Sequence, residues 1–93
     1  MRTYELVYII KPSDEEVINA TVTKFENLIK TNGGVIEKLD RWGKKRLAYE
    51  IKDFTEGYYV LVHFTSEPAV VREVERVIKI TDDVLRHLLV VKE

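Results

Sequence analysis

Apolar side chains recur at every second position at the start of the chain, where Tyr4, Leu6, Tyr8 and Ile10 form one row between Arg2 and Lys11. A period of two, carried by aromatic and β-branched residues, predicts a strand. The opposite row, Thr3, Glu5, Val7 and Ile9, is half apolar, so both faces of this strand are expected to be covered. Pro12-Ser13 ends it, and Ser13 with Glu16 reads as a capping box for a helix over Ser13 to Lys30. Ile18, Val22, Phe25 and Ile29 follow at helical spacing with Thr21 and Leu28 beside them, giving one buried stripe. Asn32-Gly33-Gly34 supplies the glycine that a helix C-terminus favours.

Val35 to Lys52 reads as a second strand, too long to run unbroken, with a bulge or protruding arm expected near Trp42-Gly43. Asp53 to Gly57 is short, polar and closed by glycine, which predicts a hairpin loop. In the third strand, Tyr58, Val60, Val62 and Phe64 alternate with Tyr59, Leu61, His63 and Thr65. Ser66-Glu67-Pro68 opens a second helix whose buried side is Val70, Val71, Val74, Val77 and Ile78. Thr81-Asp82-Asp83 breaks it, and Val84 to Lys92 is a last strand with two apolar rows, so its parity stays open. The order β-α-β-β-α-β predicts an α+β ferredoxin-like sandwich, a four-stranded antiparallel sheet with both helices on one face. One such domain accounts for residues 1–93. Its open face would carry Val7, Ile9, Tyr59 and Leu61, an apolar patch of the kind that marks a binding surface.

Composition removes several classes of function. With 93 residues there is room for a single core. The absence of cysteine excludes disulfides and thiolate metal sites and suits a reducing cytosol. The longest apolar runs, Tyr58–Val62 and Leu88–Val91, fall far short of the ~20 residues of a spanning helix, so no membrane association is expected and the protein is placed in the cytoplasm. His63 and His87 are the only histidines, and no nucleophile accompanies them. Ser13 and Ser66 are explained as helix starts, and Asp82-Asp83 as a turn. No metal, cofactor or small-molecule substrate is expected, and the chain does not read as an enzyme. Two other users of this fold are a small acyl-phosphate hydrolase and a small-molecule-binding regulatory domain. Both bind ligands at the first strand-to-helix loop, which here is Lys11-Pro12-Ser13-Asp14, without glycine.

The net charge of −1 speaks against a nucleic-acid binder, but the charge is unevenly spread. Lys38, Arg41, Lys44, Lys45 and Arg46 against Asp40 leave +4, whereas Ser13 to Lys30 carries −2. Phosphates need only a local positive surface. In Arg41-Trp42-Gly43-Lys44-Lys45-Arg46 the cations suit phosphates and the indole suits an unpaired base. A solvated arm whose charges block edge pairing is the plainer alternative. The third strand matches RNA-recognition motifs only at Gly57-Tyr58, with Glu56 in the cation's place, so base reading on the sheet is not expected.

Whole segments then point to a family. Arg2-x-Tyr4-Glu5, Gly33-Gly34-x-Ile36-Glu37-Lys38, Trp42-Gly43-Lys44-Lys45-Arg46-Leu47-Ala48-Tyr49-x-Ile51, Gly57-Tyr58-Tyr59 and Leu85-Arg86-His87-x-Leu89-Val90-Val91-Lys92 resemble the S-six family of bacterial small-subunit ribosomal proteins, in order and spacing. The resemblance implies the ferredoxin-like fold and binding to 16S ribosomal RNA in the central domain of the small subunit. It also implies a partner, the eighteenth small-subunit ribosomal protein. Carried over by position, it points to Arg2, Arg46, Arg86, His87 and Lys92 as RNA contacts, followed by Lys44, Lys45 and Trp42. Val7, Ile9, Tyr59, Leu61 and Leu89 are the candidates for the partner surface.

Overall fold

A computed structural model describes residues 1–92. The chain runs β1 (Arg2–Ile10), α1 (Glu15–Thr31), β2 (Val35–Ile51), β3 (Phe54–Ser66), α2 (Pro68–Lys79) and β4 (Val84–Lys92). The four strands form one antiparallel sheet in the order β2-β3-β1-β4. This is the ferredoxin-like sandwich that the element order predicts.

Alternation along β1 and β3 sorts the sheet into two faces. Tyr4 lies opposite Phe64, Leu6 opposite Val62 and Tyr8 opposite Val60, and all six are buried. They meet Ile18, Val22, Phe25 and Ile29 of α1 and Val70, Val74 and Ile78 of α2 in one core. Tyr8 packs edge-on against Phe25 with ring centroids 5.2 Å apart. Val71, Val77 and Leu28 border this core and are only half-buried.

A second, smaller cluster sits on the other face. Ile9, Leu47 and Leu85 are buried there, with Ile51, Phe54 and Tyr59 packed around them. The far end of the β2–β3 hairpin therefore folds back over the sheet's open face. Ile9 keeps only 8% exposure as a result, and Leu61 on the same face is equally covered.

Local details depart from the sequence reading at two places. The N-cap of α1 is Asp14, whose Oδ1 accepts from the Val17 amide at 3.1 Å, not Ser13. Ser13 Oγ instead donates to the Lys11 carbonyl at 3.1 Å. With the cap one residue later, Glu16 stands at the second helical position and cannot close a capping box. The hairpin turn is Lys52-Asp53, with φ of 48° and 69°, so Ile51 and Phe54 face each other and β3 starts earlier than expected. Gly57 is no turn residue. It lies within β3, where a Cβ would collide with the Ile9 side chain, so its glycine serves close packing. The expected defect at Trp42-Gly43 is present, with a register shift between Arg41 and Gly43 and φ of 89° at Gly43.

Candidate functional site

Period-two alternation puts Thr3, Glu5, Val7 and Ile9 of β1 on the open face, opposite Thr65, His63, Leu61 and Tyr59 of β3. The register with β4 adds Lys92, Val90, Leu88 and Arg86. This surface divides along its length. At one end Thr3 and Thr65 hydroxyls meet at 3.1 Å, and Thr65 donates to Glu37 Oε2 at 2.7 Å. His63 Nε2 lies 3.3 Å from Glu5 Oε2, and Lys92 Nζ lies 3.3 Å from His63 Nδ1. The other end is apolar. A groove of about 350 Å³ runs there between the folded-back arm and β4, lined by Val7, Leu47, Tyr49, Ile51, Tyr59 and Leu88, with Arg86 at its side.

The partner-surface candidates separate accordingly. Val7 and Tyr59 are half-buried on the apolar half, while Ile9 and Leu61 are largely covered within the chain. Leu89 is a correction. It lies opposite Leu6 and packs against the helix-side core, so it cannot join a surface on the open face. Leu88 (62% exposed) and Val90 (43%) hold the open-face positions instead. Both rows of β4 are apolar, and the irregularity between Ile9 and Ile10 sets which row faces which way, so pattern alone could not decide.

The basic run is also sorted by the fold. Lys38 Nζ pairs with Asp40 Oδ2 at 3.3 Å. Arg41 donates through Nε to Tyr58 Oη at 3.0 Å and through Nη2 to Asn19 Oδ1 of α1. Lys44, Lys45 and Arg46 are exposed and, among the described residues, enter no ion pair. The Trp42 indole stacks on Tyr59 (centroids 6.4 Å, planes 18° apart), and Lys45 Nζ sits 5.2 Å over it. One face of the indole is thus occupied by Tyr59, which makes Trp42 a wall of the open face before it is a platform for a base. Arg86 lies 5.7 Å over the exposed ring of Tyr49.

The remaining RNA candidates do not form one cluster. Arg2 pairs in register with Ser66 and Lys92 with Thr3, at the polar end. Arg86 lies opposite Ile9. The seven-residue offset along β1 separates the two ends by about 23 Å at ~3.3 Å per residue. His87 is placed on the helix side, opposite Tyr8, with Nε2 3.8 Å from Glu75 Oε2 of α2. No group of three or more histidine, aspartate or glutamate side chains able to hold a metal occurs among the described residues.

The family model described as "Ribosomal protein S6" matches residues 3–91. The small ribosomal subunit protein bS6 of Moorella thermoacetica is 53% identical over 90 residues, covering 96% of this chain and 92% of that protein. The bS6 protein of Clostridium beijerinckii is 48% identical over 91 residues, covering 97% and 96%. Among solved structures, the 30S ribosomal protein S6 of Thermotoga maritima superposes with a TM-score of 0.94 at 31% identity, over 98% of this chain and 87% of that one.

Proposed function

The chain belongs to the ribosomal protein S6 family, and on that premise we propose that it binds 16S ribosomal RNA in the central domain of the small subunit, together with the eighteenth small-subunit protein. Membership itself makes it a structural component of the bacterial small ribosomal subunit, cytoplasmic, associated with ribosomal RNA and not an enzyme.

The observation that carries the finer reading is the adjacency of two unlike surfaces. Arg86 lines an apolar groove on the sheet face opposite α1 and α2, and the exposed Lys44, Lys45 and Arg46 directly precede Leu47, which lines it too. The cations suit phosphates, where each contact releases counterions and adds to a salt-dependent affinity. The apolar half suits a protein partner, with Leu88 exposed at its centre, Val7 and Tyr59 half-buried beside it, and Ile9 and Leu61 largely covered. A net charge of −1 is tolerable in this arrangement, because the partner supplies part of the positive field. Arg2 and Lys92 would reach RNA only at the opposite end of the sheet, so they belong to a separate contact. In this reading the single domain over 1–93 does all of the binding.

Binding to a central-domain 16S fragment, measured with and without the eighteenth protein at two salt concentrations, tests the proposal. Tight, salt-sensitive binding that requires the partner is the expected result. Equal, weak binding in all four conditions would sink it.

A further inference from the structure

Arg41 belongs to the basic run by sequence but points away from it. Its guanidinium crosses from β2 over the Tyr58 ring of β3 at 5.4 Å and reaches Asn19 on α1. It donates to Tyr58 Oη and to Asn19 Oδ1, so it ties three elements together at the point where the hairpin leaves the sandwich. Immediately beyond it the register slips, Trp42 being skipped before pairing resumes between Gly43 and Tyr59, and the φ of 89° at Gly43 bends the backbone there. The arm that follows carries Lys44, Lys45 and Arg46, and its far end rests on the open face through Leu47, Ile51 and Phe54 and through Tyr49 beneath Arg86. A bulge at the root of a hairpin lets the arm pivot unless something fixes its angle. Both partners of Arg41 are uncharged, so these bonds orient the guanidinium without neutralising it.

We propose that Arg41 is a positioning residue, a latch that fixes the basic arm against α1 so that Lys44, Lys45 and Arg46 meet the RNA backbone in one register. The latch rests on the RNA-binding reading above for its purpose, but not for its existence. Its bidentate fork is what spans Tyr58 and Asn19 together. Lysine places its donors at a single point on a flexible stem and does not reproduce the planar spacing of Nε and Nη2.

The rival role for Arg41 is a direct phosphate contact, and Asn19 separates the two. Asn19 is exposed on α1 and carries no charge, so Asn19→Ala breaks the latch without removing a cation and leaves a good helix former behind. The full chain, bound to the eighteenth protein and a 16S central-domain fragment, is compared as wild type, Asn19→Ala, Arg41→Ala and Arg41→Lys. Amide hydrogen exchange of the free chain is followed in parallel. The latch predicts that all three variants exchange faster between residues 44 and 56 while the core strands are unchanged. It further predicts that RNA affinity falls about three- to tenfold, the order expected for one or two lost hydrogen bonds, with the salt slope unaltered. A slope reduced by about one in Arg41→Ala, with Arg41→Lys and Asn19→Ala like wild type, would place Arg41 on a phosphate and overturn the proposal. Unchanged exchange in all variants would overturn it too. If the wild-type chain bound no RNA, the functional reading would fail while the exchange data still decided the latch.

Discussion

The Tyr8 ring fills the centre of the sandwich against Phe25, yet among the described residues its hydroxyl has no hydrogen-bond partner. A buried, unpaired hydroxyl costs roughly 1–3 kcal/mol of desolvation, so Tyr8→Phe is expected to stabilise the chain by about 1 kcal/mol in denaturant melts. Burial also pushes the Tyr8 phenol well above its ordinary pKa of 10.0, against a smaller lowering by Arg41. The unfolded chain therefore releases this proton at a lower pH than the folded one. Stability is full below the unfolded value and declines as pH rises beyond it. Melting temperatures taken from neutral pH to above 10 should show a steeper alkaline loss in wild type than in Tyr8→Phe; parallel curves would refute this account. Legibility at this scale was mixed. Tyr8 and Phe25 announced themselves as core by spacing, but nothing in the sequence showed that the Tyr8 oxygen would lack a partner.

Elements formed where the pattern put them, and their ends were set by hydrogen bonds that pattern does not encode. Asp14, not Ser13, caps α1, so Asp14→Ala should cost about 1 kcal/mol and Ser13→Ala well under half of that, as read by thermal unfolding. Both residue types are good caps, and the choice falls to whichever backbone enters the helix at Glu15. The β2–β3 turn shows the same limit. A polar stretch ending in glycine suggested a loop over 53–57, but the chain turns at Lys52-Asp53 with both residues at positive φ. Two-residue turns of this sign favour Asn-Gly. The double change Lys52→Asn with Asp53→Gly is expected to raise stability by about 1 kcal/mol without altering the denaturant slope. A loss of stability would mean that the turn is not of this kind.

At the scale of the molecule, the sheet separates what it binds. One end of the open face is a hydrogen-bonded polar ladder, and the other is an apolar groove with the exposed Arg86 at its side. Arg46→Ala and Arg86→Ala should each reduce the salt slope of RNA binding by about one and leave the melting temperature within a degree or two, because both side chains are exposed. Leu88→Asp should abolish the partner's effect on RNA binding and spare the fold, since Leu88 is 62% exposed. Partner-independent binding of full strength in that variant would move the protein interface elsewhere.

The sequence by itself determined the β-α-β-β-α-β order and the helix-side core, because burial writes a period of 2 or 3.6 into the chain. It determined the Trp42-Gly43 irregularity as well, because the strand is too long to run unbroken past a glycine. It also carried the family, through motifs spread over nearly the whole length. Tertiary structure alone decided the rest. Leu88 rather than Leu89 faces outward because a register irregularity sets the parity of a strand apolar on both rows. Arg41 and Lys38 are held by Asn19, Tyr58 and Asp40, whose places the fold sets, while Lys44, Lys45 and Arg46 enter no ion pair among the described residues. Composition can count cations along a run; only the packing of α1 and β3 against β2 settles which of them remain available to bind.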